Sequence, residues 1–157
     1  MSEILFRGKR VEEPIKIQPY APNGWVYGGL IECDDGSFIL PYDISGEMYI
    51  DGPYKFRAND VEARVMLAKV NTESIGQYTG LTDKNGTKIF EGDFIKAKHN
   101  IEQYNVYWKD CRFYIEDVWG NLIKPTQGAI NHFECEVIGN IYDNPELLGG
   151  ENEINTN

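Results

Sequence analysis

The sequence predicts a mainly β protein, and three observations support that prediction. Aromatic residues make up 13% of the 157 residues while Met occurs three times, and aromatic side chains favour strands over helices. Short apolar runs recur along the chain, and several alternate with polar residues in the period of a half-buried strand. Gly, Pro, Asn and Asp, the residues of tight turns, separate these runs. Hydrophobic residues reach 41%, which is enough material for a core.

The N-terminal strands come first in the chain. Residues 25–33 (WVYGGLIEC) and 37–41 (SFILP) flank an Asp-Asp-Gly turn and predict a hairpin. The Pro-rich residues 11–24 predict an extended connection, because Pro cannot donate a hydrogen bond to a sheet. Residues 59–70 fit both helical and strand periodicity, and a strand from about Ala63, preceded by a helical turn, fits them slightly better.

The C-terminal half has the stronger strand pattern. TKIF and DFIKAK flank a tight turn at Glu91-Gly92, and QYNVYW and RFYIEDVW flank a turn at residues 109–111. Residues 131–142 (NHFECEVIGNIY) alternate most clearly and predict a strand. The residues predicted for its inner face are Phe133, Cys135 and Val137. Cys135 is therefore expected in the core as a small hydrophobic residue.

The end of the chain predicts one short helical turn, since Asn144 is a suitable N-cap and Pro145 suits the first helical position. Three segments follow from this pattern. Residues 1–70 form an N-terminal β segment, either separate or part of one domain with the next. Residues 71–148 form a β domain, and residues 149–157 form a flexible tail.

Charge and cysteine usage restrict the class of protein. The formal net charge of -10 disfavours non-specific binding to nucleic acid, because the phosphate backbone is repelled. Three Cys without a CxxC pair argue against a disulfide framework and a structural zinc site. The first residues resemble no signal peptide, and no run is long enough to span a membrane. We therefore expect a cytoplasmic protein with no cofactor, no metal and no membrane association.

The densest polar motif is SIGQYTGLTDKNGTKIFEGDFIKA, at residues 74–97. Within it, Asp83 and Gly86 fit a type I turn that ends in a left-handed glycine bulge. Asn85-Gly86 also fits the centre of a type I′ turn. A loop that cradles phosphate would need more glycines and a following helix, so we interpret DKNG as a hairpin.

Glu91 and Asp93 flank Gly92 in the same motif and are candidates for paired carboxylates of a hydrolase. Such a site needs a third converging group, and the sequence shows none. A turn explains the three residues better: Gly92 supplies a positive φ and Asp93 accepts hydrogen bonds from nearby backbone amides. We therefore expect no catalytic residues and no enzyme activity.

The residues that turn chemistry leaves unexplained are candidates for binding a partner. Gln77, Tyr78 and Thr79 lie between two glycines, with Gln77 and Thr79 on one face of an extended segment and Tyr78 on the other. Tyr is a frequent anchor of protein interfaces, although it also packs well on a β core. Tyr107 and Trp108 are the other two candidates.

A nucleic-acid surface is an alternative interpretation of the basic and aromatic residues. The basic residues concerned are Arg7, Lys9, Arg10, Lys96, Lys98 and Lys109, and the aromatic ones are Tyr104, Tyr107 and Trp108. The acidic total favours a solvated face instead.

SIGQYTGLTDKNGTKIFEGDFI, followed by EVIGNIYDNPELL, closely resembles the YopX family of phage and prophage proteins. FRGKR and GWVYGGLI are also similar to that family, although VEEPIKIQPYAPN separates them by more than the family pattern has. The likeness spans most of residues 4–148. The resemblance implies an SH3-type barrel or roll in residues 71–148 and a phage origin. It implies no activity, because the family is one of unknown biochemical function.

We expect a non-catalytic accessory or interaction protein in a bacterial host, with a protein partner or self-association. One alternative is a nucleic-acid-associated protein of phage replication or regulation, which rests on analogy with SH3-like barrels. Another is an acidic DNA mimic that occupies the basic cleft of a host protein.

Overall fold

The computed structural model describes residues 4–11, 24–41, 54–58, 61–65, 67–99, 103–117 and 119–148. Most of these residues lie in antiparallel strands, as the sequence predicts. The chain forms two compact units, Met1–Gln77 and Tyr78–Asn157. Whether they are separate domains stays a prediction. Nowhere in the described ranges is there a helix long and apolar enough to cross a membrane.

The first unit is built on an antiparallel sheet and a separate hairpin. Its described strands are β1 (Phe6–Lys9), β2 (Trp25–Cys33), β3 (Gly36–Pro41), β4 (Tyr54–Ala58), β5 (Val61–Val65) and β6 (Ala68–Val70). The sheet order is β6-β3-β2-β1, and β4 pairs with β5. Residues after β1 also reach β6, because Val11 N donates to Lys69 O at 3.1 Å.

The core of the first unit consists of Val26, Ile39 and Val70, surrounded by partly buried apolar side chains. Gly8 lets β1 approach β6, since a Cβ at this position would lie 2.8 Å from Val70. The hairpin predicted from residues 25–33 and 37–41 is confirmed by the β2–β3 register.

The ambiguous segment 59–70 contains two strands, so the strand interpretation is confirmed. β5 begins at Val61, and therefore the helical turn predicted before Ala63 is wrong for residues 61 and 62. Residues 59 and 60, and most of the Pro-rich stretch 11–24, lie outside the described residues.

The second unit contains the remaining strands and a short helix. The elements are β7 (Gly76–Thr82, which begins in the first unit), β8 (Lys88–Phe90), β9 (Asp93–Lys96), β10 (Gln103–Lys109), β11 (Arg112–Glu116), β12 (Leu122–Ile123), α1 (Gln127–His132) and β13 (Glu136–Asn140). β7 pairs with β8, and a five-stranded sheet has the order β12-β11-β10-β9-β13. No described pairing joins β12 to β13, so the SH3-type barrel is not confirmed.

Helix α1 was not predicted, and the strand predicted at residues 131–142 is shorter than expected. Thr126 caps the helix by accepting a hydrogen bond from Ala129 N at 3.1 Å. The helix ends at His132, and β13 starts only at Glu136. Phe133 is 56% exposed, so its predicted inward position is wrong. Alternation was outweighed here by a good N-cap directly after Pro125.

Cys135 confirms its predicted place in the core of the second unit. This core consists of Ile89, Ile95, Ala97, Val106, Ile130 and Cys135. Burial raises the pKa of the Cys135 thiol, which keeps it protonated and unreactive at neutral pH. The helical turn predicted at the chain end is also confirmed, as a 3₁₀ turn at Pro145–Leu148.

Candidate interaction surface

The DKNG loop forms the type I turn with a glycine bulge, one of the two predicted alternatives. Gly86 N donates to Asp83 O at 3.0 Å, and Gly86 has φ 82°. Asn85 does not have a positive φ, which a type I′ turn would require. Asp83 N donates to Thr87 O at 2.9 Å and closes the loop.

Asp83 is the centre of this loop and is only 4% exposed. Its Oδ1 accepts from Asn85 N at 2.7 Å and from Thr87 N at 2.9 Å, and its Oδ2 accepts from Val137 N at 3.1 Å. Burial on its own would raise the pKa of this carboxyl group, but the three backbone donors lower it overall. The carboxylate therefore joins the hairpin loop to β13.

The Glu91-Gly92-Asp93 turn also serves the fold. Gly92 has φ 81°, and Asp93 Oδ2 accepts from Phe90 N at 2.8 Å, as the sequence predicts. Asp93 is 1% exposed. Within the described ranges, no group of three or more His, Cys, Asp and Glu side chains is placed to hold a metal ion.

Gln77, Tyr78 and Thr79 all lie in β7. Gln77 pairs with Phe6 in the first unit. In the second unit, Tyr78 packs against Phe90 with ring centroids 5.5 Å apart, and Thr79 Oγ1 donates to Ile89 O at 2.8 Å. These contacts give Tyr78 and Thr79 structural roles, and a binding role for the three residues stays a prediction.

The C-terminal motif IGNIYDN is a chain of local hydrogen bonds. Asn140 Oδ1 accepts from Tyr142 N and Asp143 N, both at 3.0 Å. A Cβ at Gly139 would overlap the side chain of Asn144, so any other residue there would have to displace that side chain. The pairing of β13 with β9 shifts by one residue at this point, which is typical of a β-bulge.

The N-terminal basic residues are engaged with an aromatic ring. The guanidinium carbon of buried Arg7 lies 4.7 Å from the centroid of Trp25, and Lys9 Nζ lies 5.7 Å from it. A buried Arg7 does not offer the exposed phosphate contact that the nucleic-acid alternative requires of this cluster.

The exposed apolar residues of the second unit concentrate on β10–β12. On one face of this sheet Trp108 meets Phe113 edge to face, with centroids 4.6 Å apart, and Ile115 pairs with Ile123. Trp108 is 43% exposed and Ile123 is 44% exposed. The exposed part is continuous with the core, because buried Val106 lies opposite Ile115 in the same face.

A loop between β11 and β12 repeats the geometry of the DKNG loop. Asp117 N donates to Asn121 O at 3.1 Å, Gly120 N donates to Asp117 O at 3.0 Å, and Gly120 has φ 82°. Asp117 Oδ1 accepts from Trp119 N at 3.0 Å and from Asn121 N at 2.8 Å. In both loops an Asp binds the amides two and four residues later.

The two loops differ in what their Asp carboxylates bind and in the side chain that they expose to solvent. Asp83 is buried and binds β13, whereas the second oxygen of Asp117 accepts from the side chain of Asn121, at 2.8 Å. The residue held at the tip of this second loop is Trp119, which is 70% exposed. We define the tryptophan surface as Trp108, Phe113 and Ile123 on one sheet face together with Trp119 on the loop at the other end of β11 from Trp108.

Sequence reasoning found only part of this surface. It proposed Trp108 but missed Trp119, although the spacing Asp-x-x-Gly in DVWGN repeats that of DKNGT and would have indicated the loop. Tyr107 and Trp108 were proposed together, yet they project to opposite faces of β10: Tyr107 stacks on Tyr114, and Trp108 contacts Phe113.

Comparison with known proteins agrees with the motifs. The family model described as YopX protein matches residues 45–149, which is 105 of the 157 residues. The crystal structure of protein EF1440 from Enterococcus faecalis is similar at 27% identity, with 73% of this chain and 88% of that chain covered and a TM-score of 0.46. No curated protein matches the chain. The resemblance seen in the sequence is thus confirmed, and the chain belongs to the YopX family.

Proposed function

We propose that this protein is a phage-encoded, non-catalytic accessory protein that binds another protein in the cytoplasm of a bacterial host. The observation that carries the proposal is Trp119, an exposed Trp at the tip of a loop that is fixed by its own hydrogen bonds. Trp is enriched among the residues that dominate binding energy at protein interfaces.

The loop lowers the cost of binding through Trp119. Asp117 and Gly120 fix the backbone on both sides of the indole, so little loop entropy is lost when a partner covers it. Trp108 and Ile123 supply further exposed apolar area on one face of the β10–β12 sheet, with Trp108 at the end of β11 away from the loop, and an extended partner can also cover it.

The test is a quantitative pull-down from host lysate with wild-type, Trp119→Ala and Trp108→Ala proteins, each with and without nuclease. We expect both substitutions to remove a captured protein that survives nuclease, while the fold is unchanged by circular dichroism. Phe133→Ala is the matched control, because Phe133 is 56% exposed but lies outside the tryptophan surface. Equal capture by all variants would contradict the proposal.

A nucleic-acid-associated role is the second candidate, and one observation favours it. Lys109 and Arg112 pair across β10 and β11, next to the stacked rings of Tyr107 and Tyr114. Cations beside aromatic rings are the elements of a single-strand binding surface. Titration of a fluorescent oligothymidine at low salt tests it, because electrostatic affinity is greatest there.

A further inference from the structure

The face of the β10–β11 ribbon opposite Trp108 has a regular order of charge. Strand alternation places three cross-strand pairs on this face: Lys109 with Arg112, Tyr107 with Tyr114, and Asn105 with Glu116. Leu122, 41% exposed, extends the face because it lies opposite Glu116 on β12. We call this set of seven residues the tyrosine face.

The tyrosine pair lies in the middle of the face. The two rings stack with centroids 6.1 Å apart and an interplanar angle of 29°. Lys109 and Arg112 lie on one side of them, at an exposed turn that also carries Asp110, and Glu116 lies on the other side. Glu116 is close enough to contribute, after burial, to the raised pKa of Tyr107.

This order is self-complementary under a two-fold rotation. The two-fold axis lies between the facing copies and crosses the strands at the tyrosine pairs. Rotation about it brings the cationic end of one copy onto the acidic end of the other. Each Glu116 then meets Lys109 and Arg112 of the other copy, and the four tyrosines stack at the centre. The order cation, aromatic, acid therefore offers two identical ionic contacts, in which the two cations of each turn outnumber its one acid, Asp110.

We propose that the tyrosine face binds a second copy of this chain in this antiparallel, two-fold arrangement. The dimer uses the face opposite Trp108, so Trp108→Ala separates it from the partner surface of the proposed function. Pairing through the exposed edge of β12 is disfavoured, since β12 has two residues and Pro125 follows shortly after it. The second copy therefore binds through its own tyrosine face and does not add a strand to the edge of the sheet.

Charge also decides between a second copy and a nucleic acid. A phosphate backbone would gain from Lys109 and Arg112 but would meet Glu116 on the same face, and the whole chain carries -10. When a second copy binds, Glu116 instead faces Lys109 and Arg112 of the other chain, and this contact is favourable. The face spans only three strands and about five residues, which is small beside the roughly 800 Å² per partner of standard interfaces. We therefore expect a weak dimer, with a Kd of roughly 10 μM to 1 mM.

Charge reversal gives a sharp test by sedimentation velocity on purified protein up to about 1 mM. Arg112→Glu and Glu116→Arg should each weaken self-association tenfold or more, because each places like charges in contact. An equimolar mixture of the two variants should associate again, since the R112E copy carries a carboxylate at each end, with Lys109 beside one of them, and the E116R copy carries bases at both ends. The double variant R112E/E116R should dimerise as the wild type does. Glu32→Arg is the control, an exposed charge reversal in the first unit that should have no effect.

Other results would overturn the proposal. These are a wild-type protein that stays monomeric to about 1 mM, or two reversed variants that fail to associate with each other while both fold by circular dichroism. Binding of oligothymidine by monomeric wild type, lost in R112E, would assign the face to nucleic acid instead. Trp108→Ala should dimerise normally, because Trp108 lies on the opposite face of β10, so failure of the dimer and failure of the partner surface are distinguishable.

Discussion

Removal of the Asp83 carboxylate tests most directly whether the DKNG loop stabilises the fold of the second unit. Asp83→Ala takes the acceptor from three backbone N–H groups, those of Asn85, Thr87 and Val137. A hydrogen bond contributes about 1 kcal/mol net, and somewhat more when the acceptor is charged. We therefore expect the free energy of unfolding of the second unit to fall by about 3 kcal/mol.

Asp117→Ala is the matched control, because Asp117 organises a loop of the same geometry and, among the described residues, its carboxylate binds only within that loop. Its cost should be clearly smaller, since water can reach the amides that it leaves. Urea unfolding is followed by the fluorescence of Trp108 and Trp119, in a Trp25→Phe background that limits the signal to the second unit. A loss for Asp117→Ala equal to that for Asp83→Ala would refute the assignment of Asp83 as the link to β13.

The same carboxylate predicts a pH dependence with a definite sign. The pKa of Asp83 is lower in the folded protein than its ordinary value of 3.8. Between the two values the unfolded chain binds more protons than the folded one, so the stability from this group is complete above the ordinary value and is lost as pH falls through the lowered one. The stability difference between wild type and Asp83→Asn should thus be constant above about pH 5 and shrink below about pH 4. A difference that grows on acidification would contradict the sign.

Two further predictions concern a glycine and the thiols. Gly139→Ala should destabilise the second unit by about 1–3 kcal/mol in the same urea assay, because its Cβ would overlap Asn144; an unchanged midpoint would show that the bulge has room for a side chain. Ellman's reagent should modify two of the three thiols of the native protein, those of exposed Cys33 and Cys111, and should reach buried Cys135 only after unfolding. Three fast thiols would contradict the burial of Cys135.

Turn chemistry made much of this fold predictable. The turn at Asp83–Gly86 and the glycine at position 92 follow from local geometry, since few residues tolerate a positive φ. Helix α1 was missed because alternation over residues 131–142 was given more weight than the N-cap Thr126. Phe133 therefore lies at the end of a helix and is exposed, where a strand would have buried it.

The candidate surfaces were harder to predict, because they depend on exposure and pairing. Nothing in the sequence says that Trp119 is exposed while Trp25 is buried. The opposite directions of Tyr107 and Trp108 follow from alternation, but their neighbours Tyr114 and Phe113 required the register of the hairpin. Local sequence patterns do not show which residues of different strands lie opposite one another.

The two Asp-x-x-Gly loops show how one local motif can serve either the fold or a surface. In the loop at Asp83 both carboxylate oxygens bind backbone amides, one of them in β13, so substitution there should act through stability. In the loop at Asp117 the described hydrogen bonds of the carboxylate go to Trp119 and Asn121 of the same loop, and Trp119 is exposed. The motifs that identify the family in the sequence, residues 74–95 and 136–148, are thus largely accounted for by turns, a bulge and buried hydrogen bonds. We therefore expect substitutions in β10–β12 and the Trp119 loop to change binding, because the exposed aromatic and charged groups there have no comparable structural explanation.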